Sequence, residues 1–260
     1  GFASSSGSTK DHHVQGIRKH YIGRSTIIGP KRKMSHKRII VAIDGPAGAG
    51  KSSLAQRVAE RLGFVYINSG AMYRSIALWA LRTGTNLSDM HRLEQLALAA
   101  KIEFIAGENH VLLNGEDVTS ELHTPEVSAA ASKVSAVPGV RRALIPLQRN
   151  IAESSSVVME GRDIGTVIFP EAQVKIFLDA HPEERARRRA AERSKEQDVH
   201  SVAAELKERD QRDRTRQDAP LMQAPDAQLI DTTGLSLDEV VEKVLQLVRH
   251  RTSNGKEVSR

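Results

Sequence analysis

The sequence predicts an α/β protein: a doubly wound parallel sheet with a small inserted antiparallel β-containing subdomain and a helical lid. Three observations carry this prediction. Short apolar runs typical of buried parallel strands alternate with segments of helical period. A glycine-rich turn follows the first of these runs, at the junction of strand and helix. A hairpin signal, Asn114-Gly115, interrupts the alternation near the middle of the chain.

The first predicted strand, residues 39–43, leads into a phosphate-binding loop. Residues 45–52 match the full pattern G-x-x-x-x-G-K-[ST] between a strand and a helix. In this pattern backbone N–H groups surround phosphate oxygens, Lys51 reaches the β- and γ-phosphates, and the Ser52 hydroxyl ligates Mg²⁺. A turn that only joined a strand to a helix would need neither side chain. We expect a nucleoside-triphosphate site formed by Gly45, Pro46, Ala47, Gly48, Ala49, Gly50, Lys51, Ser52 and Ser53.

The apolar period predicts the elements that follow the loop. A helix stops at Gly63, a strand covers 64–67, and a second helix opens at the turn 68–70 and ends at Gly84. Plain core packing explains the apolar and aromatic stripe of this second helix.

The middle of the chain predicts an insertion and two proline-started helices. Asn-Gly between alternating segments predicts a hairpin inside residues 96–133. Pro125 and Pro138 suit first helical turns, whereas Pro146 falls inside a helix and should kink it.

Apolar runs typical of parallel strands occur again in the second half of the chain. Residues 157–159 and 174–178 predict buried strands, and 228–230 a last one. Ser236 and Glu239 have the spacing of a capping box at the start of the final helix.

The net charge of +6 is carried by the first residues. Residues 1–33 hold seven Lys/Arg and one acid, which leaves 31 of the 38 basic and 31 of the 32 acidic residues from Met34 onward. Met34 resembles a natural start, so we expect 1–33 to be a disordered leader added for expression or read through. A genuine basic arm that contacts RNA is the alternative. With a neutral body, we expect no nucleic-acid partner.

Composition excludes several other classes of protein. The chain has no cysteine, so disulfides, thiolate catalysis and cysteine metal sites are excluded. No apolar run approaches the roughly 20 residues that span a bilayer, and no secretory segment is evident. The ten histidines lack metal-ligand spacing in the body of the chain, and we expect no zinc. We therefore expect a cytoplasmic protein that is a monomer and has no membrane partner.

Four motifs in order resemble those of the bacterial cytidylate kinases. They are the phosphate-binding loop, Ser69-Gly-Ala-Met-Tyr-Arg74, Gly161-Arg-Asp-Ile-Gly165, and Arg209-Asp-Gln-Arg-Asp-Arg-Thr-Arg216. The similarity runs from about Ile39 to Val248. It implies direct, Mg²⁺-assisted in-line transfer of the γ-phosphate of ATP to CMP or dCMP, giving CDP or dCDP. It also implies a division into a core of 34–95 and 134–260, a lid at about 185–216, and a monophosphate-binding subdomain at 96–133.

The resemblance assigns roles that agree with the chemistry of phosphoryl transfer, which depends on positioning and charge neutralisation. Lys51, Arg162 and Arg188 are implied as catalytic residues, with Arg188 on the lid near the donor phosphates. Arg74 and Arg162 would clamp the acceptor phosphate. The base would be read by Ser132, Arg141 and Asp163, and the sugar and closing lid would meet Arg209, Asp213 and Arg216. The full implied substrate set is Ser69, Arg74, Ser132, Arg141, Arg162, Asp163, Arg209, Asp213 and Arg216.

Some residues depart from the family pattern or allow another interpretation. Asn68 stands where the family often has Asp, and His123 where some members have Arg. Glu160 precedes Gly161 and would act on Mg²⁺ through water. The arginines after Glu184 could also form a solvated helix face with ion pairs one turn apart. Two functions remain as alternatives: a kinase for another small acceptor such as UMP, and a nucleotide-dependent regulatory or RNA-binding protein.

Overall fold

A computed structural model describes residues 25–28, 38–105, 110–193 and 198–253 of the chain. The strands are β1 (Ser25–Ile28), β2 (Ile40–Asp44), β3 (Val65–Asn68), β4 (Ile102–Ile105), β5 (His110–Leu113), β6 (Glu116–Asp117), β7 (Val157–Gly161), β8 (Val174–Asp179) and β9 (Gln228–Asp231). The α-helices are α1 (Lys51–Leu62), α2 (Ser69–Arg82), α3 (Met90–Ala99), α4 (Pro125–Val134), α5 (Pro138–Ile151), α6 (Pro182–Arg193), α7 (Val199–Thr215) and α8 (Leu237–Ser253). A 3₁₀ turn (Glu121–His123) and a π-helix (Ile164–Ile168) complete the described elements.

The central sheet is parallel and confirms the predicted fold class. Its order is β3-β7-β2-β8-β9, with Ala42 opposite Met159 on β7 and Ile43 opposite Ile176 on β8. Because β2 lies in the middle, the loop that follows it opens at the carboxyl edge of the sheet, where ligands of open α/β sheets bind.

Alternate residues of β2 pack on opposite faces of this sheet, as the two-residue period of a strand requires. Val41 and Ile43 belong to the apolar cluster under α1 and α8. Ala42 belongs to a larger cluster on the other face, together with Met72 of α2 and Leu144 of α5. Both faces are covered, which explains why the strand is apolar from Ile40 to Ile43.

The smaller sheet, β1-β4-β5-β6, contains the hairpin predicted from sequence. Asn114 and Gly115 both have positive φ (53° and 90°), and β5 and β6 pair antiparallel on either side of them. These are the angles that a two-residue type I′ turn requires, and Asn and Gly tolerate them best.

One part of the leader departs from the prediction of disorder. Residues 25–28 form β1, which pairs parallel with β4 at the edge of the smaller sheet. The sequence Ser-Thr-Ile-Ile has the β-branched content of a strand, but its long-range partner is not visible in local sequence. The rest of 1–33 lies outside the described residues.

The edges of the proposed inserted subdomain fall within helices. Position 96 lies inside α3, which packs on α5, and position 133 lies in α4, which packs on α2. Ile102 and Val111 of the smaller sheet share one apolar cluster with the core helices. The insertion therefore has no separate core, because its apolar side is buried against the main fold.

Local sequence signals for the helix ends are confirmed. Pro125 and Pro138 occupy the first turns of α4 and α5, and Pro146 lies inside α5. At the start of α8, Ser236 and Glu239 form the reciprocal hydrogen bonds of a capping box.

Helices α6 and α7 pack against each other over the phosphate-binding loop. Ala186, Ala190, Val202 and Leu206 form a small apolar cluster that includes Ala47 of the loop. Within the described ranges, no helix has the length and apolar character needed to cross a bilayer.

Candidate active site

The phosphate-binding loop adopts a conformation that its glycines permit. Gly50 caps α1 with a left-handed φ of 90°, and Gly45 has a φ of 148°. A Cβ on Gly45 would collide with the carbonyl oxygen of Leu178 on the neighbouring strand. The loop consequently brings its backbone N–H groups and the N-terminus of α1 to one end of the cavity, which favours an anion there.

Lys51 points into this cavity and is almost fully buried. Its Nζ donates a hydrogen bond to the carbonyl oxygen of Pro46 at 2.5 Å. Burial and, to a smaller extent, the positive charge of Arg162 lower the pKa of Lys51 to about 7. A polyphosphate bound at the loop would restore the charged form, because an adjacent anion favours the ammonium ion.

Two oxygen-bearing side chains at the loop suit a hard divalent cation. Ser52 and Glu160 both line the cavity, and the buried carboxylate of Glu160 accepts a hydrogen bond from the Tyr66 hydroxyl at 2.7 Å. Burial and the adjacent carboxylate raise the pKa of Tyr66, so this hydroxyl stays a donor. In the described part of the chain, no cluster of three or more His, Cys, Asp or Glu side chains could hold a metal by itself. A metal at this position would need phosphate and water ligands, which is the usual coordination of Mg²⁺.

The carboxylate of Asp163, which also lines the cavity, lies at the centre of a buried polar group. It accepts a hydrogen bond from Arg141 Nη2, and its Oδ1 lies 3.4 Å from Arg216 Nη2. The Arg141 guanidinium carbon lies 5.5 Å from the centroid of the Tyr73 ring, a cation–π contact. The structure therefore brings together the two charged residues predicted to read the base.

A cluster of arginines also lines this cavity. Arg162 Nε donates to Asp213 Oδ2 at 2.9 Å, and Arg74 and Arg209 line the same cavity. Burial, with the positive charge of Arg162 adding to it, lowers the pKa of Arg209 to about 9. The same two causes lower the pKa of Arg74. Burial raises the pKa of Asp213, but its arginine neighbours outweigh this effect and the net pKa is lowered. The cluster has more cations than nearby carboxylates, so an anionic ligand would stabilise it.

Several buried polar atoms of this region have no hydrogen-bond partner among the described residues. They include Arg74 Nε, Ser132 Oγ and Arg209 Nε, all on residues predicted to bind substrate. Buried polar groups are nearly always paired in folded proteins, so unpaired ones at a cavity indicate that a ligand supplies the partner.

Most residues predicted from sequence line this single cavity. The predicted residues that line it are Ala47, Gly48, Gly50, Lys51, Ser52, Ser53, Ser69, Arg74, Arg141, Arg162, Asp163, Arg209, Asp213 and Arg216. Gly45, Pro46 and Ala49 belong to the loop but do not line the cavity. Ser132 is buried on α4 beside the lining residues Ser128 and Ser135.

Arg188 lies outside the cavity wall. Its guanidinium binds Glu184 and both the hydroxyl and the carbonyl of Thr232, beside Gly50 of the loop. The next residue, Arg189, lines the cavity instead and pairs with Glu192 at 2.8 Å. Sequence pattern could not separate these two arginines, because adjacent residues on a helix differ only in the direction they face.

Sequence reasoning missed Asp44, the last residue of β2. Its buried carboxylate accepts hydrogen bonds from the N–H groups of Ile164 and Gly165, at 2.8 and 2.7 Å, at the start of the π-helix. Burial raises the pKa of Asp44 to about 7, although these two hydrogen bonds oppose the shift. An acid directly before the loop, at the end of an apolar strand, was the available signal. Isolated π-helices are rare and are frequent at functional sites.

The two departures from the family pattern have defined places. The Asn68 side chain accepts a hydrogen bond from Ala71 N at 3.2 Å and caps α2. His123 lines the cavity, and burial lowers its pKa, with Arg74 and Arg189 adding to the effect. Asn68 therefore keeps the capping role that Asp would have, without its charge.

Comparison with known proteins gives a consistent result over nearly the whole described region. A sequence profile described as cytidylate kinase matches residues 41–250. The chain is 60% identical to the cytidylate kinase of Solibacter usitatus over 228 residues, which are 86% of this chain and 97% of that protein. It is 48% identical to the cytidylate kinase of Pelotomaculum thermopropionicum, over 83% of this chain and 96% of that protein.

Proposed function

The chain belongs to the cytidylate kinase family, and on this premise we propose that it transfers the γ-phosphate of ATP to CMP or dCMP. The observation that carries the proposal is the shared cavity, in which the phosphate-binding loop with Lys51 forms the donor end and the cation-rich cluster around Arg162, together with Asp163, forms the acceptor end. The products are ADP and CDP or dCDP. Two bound nucleotides would place their phosphates between these ends, as direct in-line transfer requires.

We assign each residue a role in phosphoryl transfer from its position in the cavity. Lys51 and the loop amides hold the β- and γ-phosphates of the donor, while Arg74 and Arg162 hold the acceptor phosphate. Arg209 adds positive charge between them, where negative charge accumulates during transfer. Such fixed donors stabilise the transition state without reorganising. No covalent enzyme intermediate is needed.

Asp163 and Arg141 form the base-reading pair of this proposal. Cytosine presents an amino donor beside ring acceptors, so a carboxylate can accept from the amino group while an arginine donates to the ring. Uracil presents O4 as an acceptor and N3–H as a donor, and its O4 would face the carboxylate of Asp163. A mismatch of buried polar groups costs several kcal/mol in such sites. This argument favours CMP over UMP as the acceptor.

Mg²⁺ would be held by the Ser52 hydroxyl, with Glu160 acting on its bound water. When bound, the ion neutralises phosphate charge and aligns the transferring group. Tyr66 orients Glu160 through the hydrogen bond described above.

We extend the same proposal to the organisation of the chain. Residues 96–133 act as the monophosphate-binding subdomain, and α6 with α7 closes over both nucleotides and excludes water. Arg188 and Arg189 approach the donor phosphates from this lid. The enzyme works as a cytoplasmic monomer without a membrane or nucleic-acid partner.

The test is a coupled ADP-release assay with CMP, dCMP, UMP, AMP and GMP as acceptors. We expect ADP release with CMP and dCMP, at least tenfold slower release with UMP, and almost none without an acceptor. Equal or faster release with another monophosphate would contradict the acceptor. ATP hydrolysis that is indifferent to all acceptors would instead support the regulatory alternative.

A further inference from the structure

Helix α7 contacts both ends of the cavity through neighbouring residues. Arg209 and Asp213 face the acceptor cluster, where Asp213 accepts the hydrogen bond from Arg162. Asp210, between them in sequence, is buried and faces the phosphate-binding loop instead. A helix is a rigid element, so a displacement of its acceptor face is also a displacement of Asp210.

Asp210 and Arg185 together hold one residue of the loop. Asp210 Oδ1 accepts a hydrogen bond from Ala47 N at 3.4 Å, and Arg185 Nη1 donates to Ala47 O at 3.1 Å. The two side chains also pair with each other at 2.5 Å, and Arg185 Nε donates to Ala180 O at 3.0 Å. Both polar groups of the Ala47 residue are thereby fixed by side chains from α6 and α7.

The loop is in close contact with α6 at the same place. A Cβ on Gly48 would lie 2.8 Å from the carbonyl oxygen of Arg185, and Ala47 packs in the apolar cluster of α6 and α7. Arg185 was predicted to belong to a moving lid. Its contacts join the first half of α6 to the loop.

We propose that Asp210 and Arg185 are positioning residues that couple acceptor binding to the conformation of the phosphate-binding loop. An acceptor phosphate at Arg162 and Arg209 fixes α7, and α7 fixes Ala47 through Asp210. Binding of one nucleotide then favours binding of the other, and the coupling factor is the same in both directions. This inference rests on the proposed function, because it requires an acceptor nucleotide at the arginine cluster.

The test measures the coupling factor directly. The dissociation constants of CMP and of Mg²⁺·AMP-PNP are determined by calorimetry, each alone and each with the other saturating, for wild type, Asp210→Asn and Arg185→Lys. The matched control is Glu208→Gln, on the same helix but exposed and paired only with Arg212 among the contacts described. We expect positive coupling in wild type and control, and a factor reduced more than twofold in both test variants, with the affinity for CMP alone within twofold of wild type. Wild type without coupling, or test variants that keep it within twofold, would overturn the proposal.

A measurement on the unmodified protein covers the case in which the variants do not fold. CMP added without ATP should slow hydrogen exchange of the loop peptide that contains the Ala47 amide. A purely structural role of the pair predicts no change, and an unchanged rate would overturn the coupling. Failure of the proposed function would give a different result. The wild-type protein would bind Mg²⁺·AMP-PNP but would neither bind nor phosphorylate CMP or dCMP, and the proposed coupling would then be wrong as well.

Discussion

The donor and acceptor ends of the cavity differ in how completely the protein pairs its own polar groups. At the donor end, Lys51 bonds to Pro46, and Ala47 is held on both sides by Asp210 and Arg185. At the acceptor end, the buried Nε atoms of Arg74 and Arg209 have no hydrogen-bond partner among the described residues. The protein's own side chains therefore hold the donor loop, whereas an anion would stabilise the like charges of the acceptor end.

We expect the largest effect when the positive charge at the donor end is removed. Lys51→Ala should lower kcat/KM for CMP phosphorylation by at least about a thousandfold, or roughly 4 kcal/mol, because transition-state charge loses its main cation there. The fold should persist by circular dichroism. Arg57→Ala, on the exposed side of the same helix, is the control and should leave the rate near wild type. Transfer near the wild-type rate in folded Lys51→Ala protein would refute the role of the loop.

The next effect concerns the base-reading residue at the acceptor end. Asp163→Ala should lower kcat/KM for CMP by about a hundredfold, and lower that for UMP much less, because only cytosine loses an acceptor for its amino group. The measurement is kcat/KM for both acceptors at saturating Mg²⁺·ATP.

Two further variants serve as controls for the effect of Asp163→Ala on the CMP:UMP ratio. Asp163→Asn retains the size of the side chain that pairs with Arg141. Asp226→Asn removes a carboxylate whose partner is Lys175, and neither residue lines the cavity. Asp226→Asn should keep the CMP:UMP ratio. If both rates fall together in Asp163→Ala and Asp163→Asn, Asp163 does not read the base.

A smaller effect concerns the protonation state of Lys51 at the donor end before a nucleotide binds. Lys51 has a pKa of about 7 in the free protein, so above pH 7 nucleotide binding should require proton uptake and weaken by up to about tenfold per pH unit. The same depressed pKa makes this residue's contribution to folding stability rise with pH between about 7 and 10.5, since the unfolded chain then binds the extra proton.

Calorimetry of Mg²⁺·AMP-PNP binding at pH 8, in buffers of different ionisation enthalpy, measures this proton uptake. The signal should vanish in Lys51→Met. Wild-type binding at pH 8 without proton uptake would mean that Lys51 is already charged in the free protein.

The smallest effect concerns the edge of the smaller sheet, whose strands do not line the cavity. Removal of residues 1–33 deletes β1, whereas removal of 1–24 keeps it. We expect the longer deletion to lower the free energy of unfolding by about 1–3 kcal/mol, from a few lost backbone hydrogen bonds, and the shorter one to change it little. Thermal unfolding measures both. The kcat and KM for CMP should stay within about tenfold in each case; a larger loss would make the leader part of the catalytic machinery.

The sequence was most informative where structure depends on neighbours in the chain. The loop at 45–52, the Asn114-Gly115 turn and the Ser236 capping box follow from the backbone preferences of a few adjacent residues, and each was predicted correctly. The spacing of Arg209 and Asp213 also suffices to bring them to one side of α7, because residues four apart are neighbours on a helix. Arg216 follows the end of this helix with an extended backbone.

The tertiary structure decided which partner each charged side chain takes. Asp210 meets Ala47 across 163 residues of sequence, and Asp44 meets Gly165 across 121. Arg188 turns to Thr232 while Arg189 turns to the cavity, although both have the same local sequence pattern. Such choices depend on the packing of distant elements and on the need to pair every buried charge, and neither is encoded within a short segment. The sequence alone thus determined the chemistry available to this protein, and the fold determined which residues join its two nucleotide ends.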